Sequence, residues 1–246
     1  MTHDLLNNSR FELKYRISYF TYLKIRNMVK ANMKKDKFTR SSQKAGYLVR
    51  SLYFDTHSLS AYHEKMSGDN ERIKFRIRTY HDRFTENAPI RVELKGRKSG
   101  LVIKKSAFIS TETYQQFLIN KHWLENDPVL EEFERLMQIK SLEPKVITQY
   151  RREGYETRYK GDLRITFDHN VESTHANELF PNKAFYKEHH RNAIIMEIKF
   201  KKSPPKWVHQ LVHIYGLKAI ANSKFTQAIQ VSRKDLHHPG GIIVVR

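Results

Sequence analysis

The sequence contains no cysteine. That removes disulfides, thiol nucleophiles and thiolate metal sites, and it fits a reducing compartment. Glycine is scarce, at nine residues in 246. No glycine-rich phosphate loop (GxxxxGK followed by Ser or Thr) occurs, so a phosphate cradled by backbone amides of that motif is excluded. No apolar run approaches the roughly 20 residues that a membrane-spanning helix requires. The opening residues, MTHDLLNNSR, lack the charged-then-apolar order of a secretory leader. The expectation is a soluble, cytoplasmic protein. Acidic side chains are in deficit as well: 26 Asp and Glu stand against 45 Lys and Arg, a formal net charge of +19. Such an excess calls for a polyanionic partner, whether nucleic acid, a phosphate-rich small molecule or an anionic surface.

What is present is a real core and many strands. Hydrophobic residues make up 39% of the chain and aromatics 12%. No internal repeat or long linker divides the sequence, which reads as a single domain over 1–246, with a core of about 10–230 and a tail at 235–246. Strand-like segments recur at 10–16, 47–54, 71–80, 90–95, 101–109, 146–155, 162–168 and 193–200. Helical spacing marks 18–33, 127–140 and 203–216. Asp127 and Pro128 make a strong helix start, and Gly216 a stop. Strands with scattered helices and short connections predict an antiparallel α+β domain. The number of strands is compatible with a closed antiparallel β-barrel, since closure removes exposed edges.

The segment ERIKFRIRTY, residues 71–80, places Arg72, Lys74, Arg76 and Arg78 on every second position with Ile73, Phe75 and Ile77 between them. Like charges side by side on a strand are destabilising. The same alternation returns elsewhere. Glu12, Lys14 and Arg16 share a face, as do Arg91, Glu93 and Lys95, and then Arg164, Thr166 and Asp168. Glu197 and Lys199 oppose Met196, Ile198 and Phe200. A single charged strand face is ordinarily a solvated surface. Repeated over many strands, and rich in Arg and Lys with few carboxylates, the pattern predicts an inverted barrel. Its apolar faces point outward under helices, and its charged faces line a lumen. Such an interior needs a counter-charge or water, so the row at 71–80 is expected to face a bound polyanion.

The ordered motifs RFELKY (10–15), YLVRSLYFDT (47–56), ERIKFRIRTY (71–80), RVELK (91–95), YRREGY (150–155), LRITFD (163–168), MEIKF (196–200) and SKFTQA (223–228) resemble the VTC-type polyphosphate polymerase domain of the triphosphate tunnel metalloenzymes, relatives of the CYTH group. The resemblance covers about residues 10–230. It implies an antiparallel barrel whose basic lumen grips a triphosphate or polyphosphate, with Mn²⁺ or Mg²⁺ held by lumen glutamates. By position it implies that Lys14, Arg76, Arg78, Lys95, Arg152, Arg164 and Lys224 form the catalytic set. Arg72, Lys74, Lys104, Lys199 and Arg50 are implied as further phosphate contacts, and Glu197, with Glu12 and Glu93, as metal ligands. The family often carries one more lysine where this sequence has Ala221.

The activity the resemblance implies is transfer of the ATP γ-phosphate onto a growing polyphosphate chain. Two alternatives stay open: hydrolysis of inorganic or nucleoside triphosphate in the same site, and polyphosphate binding without turnover. Phosphoryl transfer needs positioning and charge neutralisation above all, which Arg forks and Lys point charges supply. Nucleic acid is not an expected partner, because alternating charges gather on one surface too narrow for a duplex. A membrane-protein partner for product export would leave no mark in this sequence. The pairs His189–His190 and His237–His238 read as solvated loop residues, and Asp55 as a strand-end turn residue.

Overall fold

The structure, a computed structural model, describes residues 11–42, 44–86, 88–98, 101–159 and 161–232. The tail at 235–246 lies outside the described residues. In chain order the elements are β1 (Phe11–Ser18), α1 (Tyr19–Asn32), β2 (Met33–Lys35), α2 (Lys37–Ser41), β3 (Tyr47–Asp55), α3 (Ser60–Ser67), β4 (Arg72–Thr79), β5 (Ile90–Lys98) and β6 (Leu101–Ile109). Then follow α4 (Thr111–Asn120), α5 (Pro128–Ile139), β7 (Glu143–Thr157), β8 (Arg164–His175), β9 (Lys187–Glu188), β10 (Ala193–Phe200), α6 (Lys206–Ile214) and α7 (Lys224–Ser232). No helix among the described residues is long and apolar enough to cross a membrane.

Helix ends follow local chemistry. Ser18 caps α1 by accepting the Thr21 N–H, and Asp127 caps α5 by accepting from Val129 and Leu130, with Pro128 in the first turn. In α6 the helix begins at Lys206, not Ser203, because Pro205 holds an extended ψ of 155°. Gly216 stops the chain beyond α6 with φ +54°. Asp55 is a turn residue as expected, and its role is specific. Fully buried, its carboxylate accepts from the backbone of Thr56, Ala61 and Tyr62 and so anchors the start of α3.

The strands form one antiparallel sheet in the order β1-β10-β8-β7-β3-β4-β5-β6, with β2 added on β7 and β9 on β8. The sheet is not closed into the expected barrel among the described residues: β1 and β6 are the two ends of the path, and no ladder joins them there. Part of the β1 edge is met by the segment before α7, where the Ile220 N–H donates to the Lys14 carbonyl at 2.8 Å.

The sheet nevertheless curls. Lys14 on β1 donates to the Asn222 carbonyl and Lys74 on β4 to the Ser223 hydroxyl, each at 2.9 Å. In a flat sheet, five strand steps would hold β1 and β4 about 24 Å apart at the usual spacing. Two lysine stems meeting adjacent residues leave no room for that separation.

Face assignment agrees with the inverted arrangement. The outer face is apolar and covered by helices. Leu52, Phe75, Ile77, Val92 and Leu94 pack under Tyr114, Phe117, Leu130 and Phe133 of α4 and α5. Tyr15, Ile165, Phe167, Met196 and Ile198 pack under Ile25 and Val29 of α1 and Val208 and Leu211 of α6. Helix α7 is the exception: Phe225, Ala228 and Ile229 pack on Tyr53 and Val146, residues of the inner face. It covers one end of that face.

Candidate functional site

The cross-strand register converts the alternation into rows. Lys74, Lys95 and Lys104 lie opposite one another on β4, β5 and β6. Beside them run Tyr53, Arg76, Glu93 and Ser106, and then Ser51, Arg78 and Arg91. On the other half, Lys14 faces Glu197 and Thr166, while Glu12 faces Lys199 and Arg164. Arg152 faces Asp168. All the polar partners of a row share one side of the sheet.

Each inner carboxylate serves several cations. Glu93, with no exposed surface, pairs with Arg76 at 2.6 Å, Lys104 at 2.7 Å and Arg78 at 3.6 Å. Burial alone would raise its pKa, but Arg76 and Arg78 hold it far below the ordinary carboxylate range. Asp168, also fully buried, takes Arg152 at 2.6 Å and Lys224 at 2.5 Å. Against the penalty of burial, these two partners keep it ionised. Glu197 meets Lys199 at 2.9 Å and Arg152 at 3.4 Å, and its carboxyl is held well down in spite of burial by Lys199 and Arg152. Glu12 pairs with Lys14 at 2.7 Å and Lys199 at 3.4 Å.

The lysine row is different. Lys104 shares Glu93, but Lys95 has no carboxylate within salt-bridge reach among the described residues, and Lys74 has only the Ser223 hydroxyl and the Phe225 ring. Burial lowers the pKa of both, that of Lys74 to about 8. Burial would raise the Tyr53 phenol, yet Arg76 and Arg78 beside it bring it down to about 8. Positive charge at this end exceeds what the protein supplies to offset it, which is the condition for holding a polyanion.

The stretch before and into α7 completes the site. The Asn222 carbonyl holds Lys14, the Ser223 hydroxyl holds Lys74, and the Lys224 ammonium lies on Asp168 and over the Tyr150 ring. Among the described residues, the buried Asn222 side chain has neither amide atom bonded, and the Thr166 hydroxyl is likewise unpaired. Buried polar atoms of this kind are uncommon and call for a ligand or water.

Most of the expected residues therefore share one face: Lys14, Lys74, Arg76, Arg78, Lys95, Lys104, Arg152, Lys199 and Lys224, with Glu12, Glu93 and Glu197. Arg164 lies at its border, bonded to Asp36 at 2.7 Å and to the Tyr47 hydroxyl at 3.4 Å. Arg72 stands at a strand end with its guanidinium on the Asp69 carbonyl. Arg50 is a correction. It shares the parity of Leu52 and Phe54, lies on the opposite face, and is bound by Gln149 and the Asp82 carbonyl.

The three glutamates do not gather either. Glu12 and Glu197 share Lys199, whereas the partners of Glu93 come from β4 and β6. Among the described residues, no group of three or more His, Cys, Asp or Glu side chains is placed to hold a metal. The Glu12 and Glu197 pair still fits a hard divalent cation, because Mg²⁺ commonly takes one or two carboxylates and completes its shell with phosphate oxygens and water. Residues missed at the sequence level include Asp168, Tyr53, Asn222 and Ser223. Asp168 alone carried a signal, its parity with Arg164 and Thr166. His189, expected in solvent, is buried between Ser173 and Gln227.

Comparison with known proteins places this arrangement. The family model described as VTC domain matches residues 9–233. No curated protein sequence matches the chain. Among solved structures, a proposed adenylyl cyclase from Hippeastrum, described as revealing a dominant triphosphatase activity, superposes with a TM-score of 0.53 at 16% identity, covering 94% of this chain and 100% of its own. A proposed adenylate cyclase from Bacillus halodurans superposes with a TM-score of 0.52 at 14% identity, covering 86% of this chain and 92% of its own. At such identities the two share the fold with this chain.

Proposed function

The chain belongs to the VTC domain family, and from that membership we propose that it is a metal-dependent polyphosphate polymerase, transferring the ATP γ-phosphate to a polyphosphate chain on the curled basic face. The observation that carries the reading is the Lys74–Lys95–Lys104 row, which has too little counter-charge of its own. Beside it, Arg76, Arg78 and Arg152 are fixed in orientation by Glu93, Ser51 and Asp168. Guanidinium forks held in this way need no reorganisation as charge shifts across the transferring phosphoryl group.

In the reaction, a terminal oxygen of the acceptor phosphate forms a bond to the γ-phosphorus. The bond from that phosphorus to the β,γ-bridging oxygen breaks, and ADP leaves with the electron pair. The basic residues bind the oxygens of donor and acceptor and offset the charge on the leaving oxygen. Glu197 and Glu12 would hold a divalent cation, which would supply further charge neutralisation at phosphate oxygens.

The runner-up, hydrolysis, is the activity named for the Hippeastrum protein. It differs only in using water as nucleophile. No inner carboxylate separates the two: Glu93, Asp168 and Glu197 are all held ionised by cations, and transfer to either nucleophile depends on positioning and charge neutralisation. Membership of the VTC domain family is what favours synthesis.

The test is incubation of the purified protein with γ-labelled ATP and Mn²⁺ or Mg²⁺, products resolved on a gel, with Glu197→Gln alongside. A labelled polyphosphate ladder that the variant does not make supports the polymerase. Free phosphate without a ladder makes the protein a triphosphatase, and tight polyphosphate binding with neither product leaves a binding module.

A further inference from the structure

Helix α7 opens with Lys224 and follows directly on Asn222 and Ser223, so its placement decides where these three stand. Its apolar side, Phe225, Ala228 and Ile229, packs on Tyr53 and Val146. Apolar contact is non-directional, and by itself it leaves a helix free to turn or slide by small amounts. A directional contact comes from Gln227, three residues after Lys224, a spacing that makes two helical side chains neighbours. The Gln227 amide meets both imidazoles of the turn between β9 and β10. Its oxygen lies 3.3 Å from His189 Nδ1 and its nitrogen 2.9 Å from His190 Nε2. His189 is in turn tied to β8. Its Nε2 lies 2.6 Å from the Ser173 hydroxyl, and its backbone N–H donates to the Val171 carbonyl at 2.8 Å. Beyond Lys224, one other side-chain hydrogen bond joins α7 to another element among the described residues, from Gln230 to the Tyr62 hydroxyl, and it is long at 3.5 Å.

We propose that Gln227 is a positioning residue: braced on His189 and His190, it fixes α7 about its axis and so holds Lys224 and Ser223 where a phosphate chain on the inner face meets them. The proposal rests on the reading of the inner face as a phosphate site. It adds to that reading a part played by residues that touch no phosphate. Three features support it. First, the hydrogen-bond roles close on themselves. The amide oxygen accepts from His189 Nδ1–H, which leaves His189 Nε2 to accept from Ser173, and the amide N–H donates to His190 Nε2. Both imidazoles are neutral in this scheme. Burial favours that state, bringing His189 down to about 4 and lowering His190 too, where the Arg16 charge adds to the effect. Second, the contacts that the bridge sets are close ones. Lys224 lies on Asp168 at 2.5 Å and over the Tyr150 ring at 4.6 Å, and Ser223 holds Lys74 at 2.9 Å. Such bonds weaken steeply when their geometry is disturbed. Third, the Gln227 backbone N–H donates to the Ser223 carbonyl at 3.0 Å. The residue that carries the bridge therefore also closes the turn on which Ser223 sits.

The experiment is a calorimetric titration of the whole protein with inorganic triphosphate at one salt concentration, for wild type, Gln227→Met, Lys224→Ala and the double variant, each first shown to melt cooperatively. Methionine keeps the length of the glutamine side chain and removes its hydrogen bonds. The inference predicts that Gln227→Met weakens triphosphate about fivefold while Lys224 is present, and less than about twofold once Lys224 is alanine, because residues that act through one another are not additive. His190→Ala cuts the same bridge from the turn. It is expected to behave alike, and it replaces Gln227→Met should that variant not fold. An affinity unchanged by loss of the bridge overturns the inference. So does the same loss with and without Lys224, which reports a general effect on the fold. If wild type binds triphosphate and Lys224→Ala binds it equally well, only this inference fails. If wild type does not bind triphosphate, the phosphate reading fails and takes this inference with it.

Discussion

Glu93 holds together more of the inner face than any other carboxylate, since Arg76, Arg78 and Lys104 all converge on it and none of its surface is exposed. Removing one partner of a buried ionic group costs more than the group contributes net, because the remaining charges are left buried and unpaired. Glu93→Gln is therefore expected to lose about 3–5 kcal/mol of stability, measured by denaturant unfolding. Saturating triphosphate should return part of that loss, since the ligand supplies the missing negative charge.

Lys74 and Tyr53 set a pH dependence at the same place. The folded protein lowers Lys74 from 10.5 and Tyr53 from 10.0, each to about 8. Between those limits the unfolded chain binds more protons, so the ligand-free fold gains stability as pH rises from about 8 to 10. Polyanion affinity moves the other way, because over the same range Lys74 loses its charge and Tyr53 gains a negative one. Titration of triphosphate binding from pH 7 to 9 should show weakening centred near 8. A flat profile would remove Lys74 from the binding set.

At the scale of elements, α7 is the least expected and among the most consequential. It packs Phe225 on Tyr53 and brings Ser223 and Lys224 to Lys74 and Asp168. Phe225→Ala should cost about 3–5 kcal/mol as a large-to-small change in a packed cluster. It should also weaken triphosphate, because the residues just ahead of the ring lose their seat. Melting curves with and without ligand separate the two effects.

The strands were legible because alternation has a period of two and the inner face is charged. RIKFRIRT of β4 announces both faces by itself. β3 does not: in YLVRSLYFD nearly every residue is buried on one side or the other, so parity carries no polarity signal. Nothing in its sequence setting therefore told that Arg50, implied as a phosphate contact, lies on the opposite face. The helix α7 was hidden for a related reason. SKFTQA reads as a phosphate motif, and its apolar positions pack on the inner side of the sheet, a place that an inverted arrangement does not lead one to expect. Nor does composition tell whether β1 meets β6, since closure depends on twist and register accumulated over eight strands.

For the whole molecule, the net charge of +19 and the placement of that charge have different consequences. Exposed cations attract any polyanion, and that attraction falls steeply with salt. Cations recessed in a curled sheet are screened much less. Raising the salt from about 50 to 200 mM should therefore release long DNA by orders of magnitude while triphosphate binding declines far less. Parallel filter-binding or fluorescence titrations check this. A common salt slope for both ligands would mean that the surface, not the inner face, does the binding.

The edges of β1 and β6, which no ladder joins among the described residues, have a mechanical consequence. A tube sealed by a continuous ladder has a fixed girth, and widening it means breaking backbone hydrogen bonds along its whole length. A split tube behaves as a spring clip. It can open at the slit by flexing the twist of its strands, with every existing ladder intact. For the polyanion proposed above, such a slit is a second way in, from the side as well as from an end.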